Sequence, residues 1–186
     1  MALPACVLPD PFPYLSLCAG GGGLDWGLRT AVPGARAVGY VERQASAAAA
    51  LVARMVEGAL DEAVVWDDIA TFDGLPWAGR VAGIVAGFPC QPVSVAGKRL
   101  GTADPRWLWP HIERVVREVR PEWLFFENVR GLVTINDGDA FHGVLMALAL
   151  LGFDAEWGVL PARAVGAPQK RRERVFIVAR SGLEHP

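Results

Sequence analysis

The sequence predicts an α/β fold: a doubly wound, mostly parallel seven-stranded sheet with helices on both faces. Short apolar runs alternate with segments of helical periodicity along most of the 186 residues. One run, Trp123-Leu124-Phe125-Phe126, has no polar position, as expected of a strand buried on both faces. The first run is followed at once by glycines 20–23 and then a helical stretch, the unit that commonly opens such sheets.

Taken in order, residues 1–13 read as an irregular lead-in and Tyr14 to Cys18 as the first strand. A tight Ala19–Gly23 loop follows, and Leu24 to Arg29 begins a helix. Glycines let a ligand approach the backbone, and the helix start offers free N–H groups. The dinucleotide fingerprint G-x-G-x-x-G does not fit, because Asp25 occupies its last glycine position. Ala35 to Val41 is the second strand and ends in Glu42. A carboxylate there can accept from both hydroxyls of a ribose, or can simply favour the start of the next helix. That helix is expected over Ala45–Leu60, with Leu51, Val52, Met55, Val56 and Leu60 on its apolar face.

Ala63 to Trp66 is a short third strand before Asp67-Asp68-Ile69, where an acid can accept from an adenine amino group or cap a turn. Gly83 to Ala86 is the fourth strand, and Cys90 follows. The polar, glycine-marked stretch to Pro105 has the length of an active-site loop. A helix is expected over Leu108–Arg120, ended by Pro121. The apolar fifth strand runs into Glu127-Asn128-Val129. A carboxyl at that place is costly unless it has a partner or a task. Asp139 is expected to cap a helix ended by Gly152, and strands at Asp154–Leu160 and Val175–Ala179 complete the sheet. Residues 14–180 form one domain in this reading, with a short tail at 181–186.

Hydrophobic content of 52% and a mean hydropathy of +0.27 describe a chain with a substantial core. No apolar run reaches membrane-span length. The three cysteines (Cys6, Cys18, Cys90) and three histidines show neither disulfide nor metal spacing, which fits a reducing cytoplasm and no metal site. The net charge of −2 argues against a protein that grips nucleic acid with its whole surface. Between Arg163 and Arg180, however, six basic residues stand against the single acid Glu173.

Cys90 is the focus of the chain. A thiol at the carboxyl end of a sheet strand lies where such folds bind ligands, although a free cysteine is often an inert small hydrophobe. Gly87-Phe88-Pro89-Cys90-Gln91, followed by Glu127-Asn128-Val129 after a buried strand, resembles the DNA (cytosine-5)-methyltransferases. The resemblance runs from about Tyr14 to Ala179. It includes Leu15 to Leu24, Glu42, the Asp68-Ile69 pair, and the late stretch from Gln169 to Arg174.

It implies a Rossmann-like methyltransferase fold and S-adenosyl-L-methionine as cofactor. The implied cofactor residues are Leu17, Cys18, Ala19, Gly20, Gly22, Gly23, Leu24, Glu42, Arg43, Asp68, Ile69, Gly87 and Pro89. Cys18 stands where the family usually has Phe. Cys90, Glu127 and Arg172 are the implied catalytic residues. Phe88, Gln91, Ser94, Lys98, Arg106, Asn128, Val129 and Arg174 are the implied contacts to DNA carrying a flipped cytosine.

The late motif is one residue longer than usual, and anchoring it on the following strand selects Arg172 and Arg174. Family members continue into a target-recognition domain and a final motif, so the resemblance implies the catalytic part of such an enzyme, either truncated or completed by a second chain. A restriction–modification enzyme of prokaryotic or phage origin is the implied setting. Two other readings stay open: a catalytically silent module regulating an active partner, and a relative acting on tRNA cytosine.

Overall fold

The computed structural model describes residues 8–89, 107–168 and 172–182. Seven strands form one sheet in the order β3-β2-β1-β4-β5-β7-β6. They are β1 (Phe12–Leu17), β2 (Ala35–Val41), β3 (Val64–Trp66), β4 (Gly83–Gly87), β5 (Trp123–Val129), β6 (Phe153–Pro161) and β7 (Glu173–Ser181). β7 alone runs against its neighbours. The order steps outward from β1 in both directions, so the ends of β1 and β4 mark the switch point where such sheets bind ligands.

Alternation along the strands divides the core into two layers. Phe12, Tyr14, Val85 and Trp123 face α1 (Gly23–Ala31) and α2 (Ala45–Val56). Leu15, Leu17, Ile84, Ala86, Leu124 and Phe126 face α3 (Trp109–Val119), the short α4 (Gly131–Thr134) and α5 (Asp139–Leu150). In β2 the alternation is restored by a bulge: Tyr14 pairs with Ala37 but Leu15 with Gly39, leaving Val38 extra. The doubly wound architecture expected from the sequence is therefore present, with helices on both faces.

Several boundaries differ from expectation for local reasons. α2 ends at Val56, because Gly58 turns left-handed (φ 71°) and the amides of Ala59 and Leu60 fold back onto Arg54 O. Asp139 does not cap α5; it is the first helical residue, and the left-handed Gly138 precedes it. β5 continues through Val129, so Glu127 and Asn128 lie within the strand, paired with β7.

Among the described residues, the α1–α2 layer leaves part of its sheet face uncovered. Leu8, Phe12, Leu28, Val85, Trp123, Phe125 and Val178 line an open apolar groove beside α1. Phe125 stacks on Phe176 at 6.0 Å, and Val178 is 43% exposed. Among the described residues, no helix is long and apolar enough to cross a membrane.

Candidate active site

The sheet register brings the sequence motifs to one edge. Leu17 lies beside Val41 on one side and Ala86 on the other, and Gly87 lies beside Glu127. The tips of β1, β2, β4 and β5 therefore share the carboxyl edge of the sheet.

At the first tip, Cys18 is left-handed (φ 52°) and turns the chain out of β1. Burial pushes its thiol up to about 12, and the charge of Glu42 acts in the same direction. Cys18 is thus a neutral thiol, unsuited to nucleophilic work. The loop is held in several directions. Ala19 N–H donates to Val41 O at 3.1 Å, and Gly20 N–H donates to Glu42 Oε2 at 2.7 Å. Arg54 reaches from α2 to donate to Gly21 O. Gly22 is left-handed (φ 75°), and a Cβ there would lie 2.4 Å from Leu60 Cδ1, so only glycine fits. Cβ positions at Gly20 and Gly23 meet nothing within 4 Å, so the loop's outer side and the start of α1 are open.

Glu42 also accepts from Gln44 N–H at 2.7 Å through Oε1. Each carboxylate oxygen keeps a further lone pair for a ligand hydroxyl. Arg43 is exposed at the start of the connection to α2. Beyond β3, Asp68 folds its own turn, with Oδ1 accepting from Ala70 N–H at 2.9 Å. Ile69 is buried, and its carbonyl accepts from Arg114 at 2.7 Å. Arg114 also binds Phe72 O at 2.9 Å and pairs with Glu118 at 2.8 Å, so α3 holds this segment in place. Leu24 packs against the α1–α2 core.

At the second tip, Phe88 follows β4 directly. Its ring is buried against Trp107, Trp109 and Phe126 at centroid distances of 5.8–6.2 Å. Asn128 is likewise buried and occupied: Nδ2 donates to Phe88 O at 3.0 Å, and Oδ1 accepts from Val129 N–H at 2.8 Å. Together these residues anchor the segment leading to Cys90, and Pro89 at its end is exposed. Cys90, Gln91, Ser94, Lys98 and Arg106 lie outside the described residues.

Glu127 stands beside Gly87, where a Cβ would be 3.5 Å from Glu127 Oε2 and 3.9 Å from Cys18 O. Its Oε1 pairs with Arg174 Nε at 2.7 Å. Antiparallel β7 makes this possible, because Val129 pairs with Arg174 and so delivers the start of a late strand to the carboxyl edge. Arg172, the arginine expected to be catalytic, is exposed just before β7, and its carbonyl accepts from Ala162 N–H. Arg174 is the arginine that meets Glu127. Val129 is exposed at the end of β5. Among the described residues, no cluster of His, Cys, Asp and Glu could hold a metal ion.

Residues 12–184 match the sequence model of the C-5 cytosine-specific DNA methylases. The chain belongs to that family. Relatives include the type II methyltransferase M.NgoMIV of Neisseria gonorrhoeae, 32% identical over 91% of this chain and 52% of its own length. Another, M.PspPI of a Psychrobacter strain, is 34% identical over 92% of this chain and 40% of its own. This cytosine-methylase chain thus spans about half the length of such relatives. In fold it resembles the Schizosaccharomyces pombe Dnmt2 methyltransferase (TM-score 0.71, 22% identity, covering 94% of this chain and 52% of that one). The Entamoeba histolytica methyltransferase EhMeth is similar (TM-score 0.74, 16% identity, covering 96% and 56%). These are Rossmann-like methyltransferase folds, and the cofactor of the family is S-adenosylmethionine.

Arg54 and Arg114 were not singled out from the sequence. Their only signal is that each is a long cation on a helix flanking a loop, which is too common to select them.

Proposed function

We propose that this chain is the catalytic part of a DNA cytosine-5 methyltransferase, acting on a cytosine turned out of the duplex. The observation that carries the reading is the Glu127–Arg174 pair beside Gly87, at the foot of the segment leading to Cys90. The open glycine loop, the start of α1, Glu42 and Asp68 suit a bound S-adenosylmethionine: N–H groups and carboxylates surround a space that side chains leave clear. When bound there, it supplies the methyl group.

The protein's own groups do the rest. C5 of cytosine is a poor nucleophile. The Cys90 thiolate forms a bond to C6, and the C5=C6 electrons move to C5. With S-adenosylmethionine held in the cradle, C5 would take its methyl group, and the sulfur would leave as a neutral thioether with the electrons of the broken S–C bond. A base next removes the C5 proton, the C5=C6 bond re-forms, and the thiolate leaves. Glu127 holds the N3 and 4-amino edge of the ring. Arg174 fixes the Glu127 carboxyl and places positive charge near O2. Arg172, exposed just before β7, is suited to a phosphate. The base must leave the stack because C6 is covered in a duplex.

A second chain, or a further part of this one, would supply target recognition. Two observations support that part of the proposal. Relatives are about twice as long, and among the described residues the apolar groove beside α1 is uncovered.

A single-stranded oligonucleotide tests the chemistry without target recognition, since its bases need no flipping. With methyl-labelled S-adenosylmethionine, label is expected in 5-methylcytosine after digestion to nucleosides. Label on an exocyclic nitrogen, or on RNA cytosine alone, would reject the proposal.

A further inference from the structure

Asp25 is the third residue of α1, directly after the glycine loop, and it is 0% exposed. Neither carboxyl oxygen meets a donor at full hydrogen-bond distance and angle. The hydroxyls that face it are Ser16 and Tyr14 of β1, both buried. On the same side, Asp61 accepts from Ala37 N–H at 3.0 Å, and its carbonyl accepts from Tyr40 Oη at 3.2 Å. Arg29, one turn further along α1, lies 3.9 Å from Asp61, and no cation pairs with Asp25 among the described residues. Asp25 therefore sits between hydroxyls and a like charge, sealed from water.

Ser16 and Asp25 bracket the loop. One is the penultimate residue of β1, and the other lies in the first turn of α1. The loop between them is held from above by Glu42 and Arg54.

We infer that Asp25 is a positioning residue: it joins the first turn of α1 to β1 and so fixes the base of the glycine loop. The consequence for cofactor binding rests on the proposed cradle; the effect on the loop does not. An ionised carboxylate in this position would cost several kcal/mol without a partner, so the group works as a neutral acid. Burial pushes its pKa up, the Ser16 and Tyr14 hydroxyls draw it partly back, and the Asp61 charge adds to the rise. Asparagine has nearly the same shape and no proton to lose, so it should substitute where alanine does not.

The test compares wild type, Asp25→Asn and Asp25→Ala by hydrogen exchange, calorimetry with S-adenosylmethionine, and thermal unfolding. Asp25→Ala is expected to speed exchange at the Ala19–Leu24 amides, leave β4 and β5 unchanged, and weaken cofactor binding about tenfold. Asp25→Asn is expected to bind within about threefold of wild type.

It should also differ in pH dependence. The folded state keeps a proton that the unfolded chain releases at ordinary acidic pH, so wild-type stability falls as pH rises past that range. Asp25→Asn lacks that part of the fall, while Tyr14, Tyr40, Asp61 and Arg29, which also face the cluster, are common to both proteins. Unchanged loop exchange in Asp25→Ala would overturn the inference, as would equal damage from Asn and Ala. Should Asp25→Ala fail to fold, Ser16→Ala opens the same clamp from β1 and is expected to speed the same amides. If wild type binds no cofactor, the cradle fails, and loop exchange still decides the role of Asp25.

Discussion

Glu127→Gln is expected to slow methyl transfer by about 10²–10⁴-fold while leaving S-adenosylmethionine affinity unchanged. Glutamine keeps the shape of the side chain, and Gly87 leaves room for it. It cannot carry the charge or the proton of a carboxyl, and it leaves the Arg174 guanidinium without its ionic partner at 2.7 Å. The loss therefore falls on the charge that develops in the pyrimidine ring, not on the glycine loop, which follows β1 on the far side of β4. Stability should change little, because both partners are about one-quarter exposed (24% and 26%) and solvent screens the pair. Single-turnover rates on a single-stranded oligonucleotide, with calorimetry for the cofactor, check this. An unchanged rate would remove Glu127 from the mechanism.

Phe126→Ala is expected to destabilise the fold by about 3–5 kcal/mol. The ring is fully buried at the centre of the sheet and meets Trp109 edge-on at 5.9 Å and Phe88 at 6.2 Å. Removing it opens a cavity between β5, α3 and the anchor of the Cys90 segment. Denaturant unfolding measures the loss, with an unchanged slope if only stability is altered. A loss below about 1 kcal/mol would mean that this aromatic cluster does not fix the second tip.

The strand–helix alternation and the doubly wound, mostly parallel sheet were legible because they follow from periodicity; the order of the strands was not. Trp123 to Phe126 reads as a buried strand in any context, and it is one. Glu127 was legible as a carboxyl needing a partner, but the partner was not. Whether Arg172 or Arg174 meets it depends on the β5–β7 register, where Val129 pairs with Arg174, and an antiparallel pairing across a long connection leaves no local trace. Phe88 and Asn128 were legible as contacts implied by the resemblance; that both are buried and joined through Asn128 Nδ2 and Phe88 O was not, because that bond spans forty residues. Asp25 was visible only as the residue that breaks a dinucleotide fingerprint. Its burial comes from the docking of α1 on β1, which one sequence does not reveal. The helix ends at Val56 and Gly138 turned on left-handed glycines, whose conformation the sequence permits but does not impose.

Attack of Cys90 on C6 of cytosine can be caught with 5-fluorocytosine. Fluorine at C5 cannot leave as a proton does, so once the methyl group has moved, the Cys90–C6 bond is trapped. With a single-stranded oligonucleotide carrying 5-fluorocytosine and S-adenosylmethionine, mass spectrometry should find the methylated nucleotide attached to the peptide containing Cys90. Cys90→Ser should give none. An absent adduct in a protein that binds the cofactor, or an equal adduct in Cys90→Ser, would contradict the account.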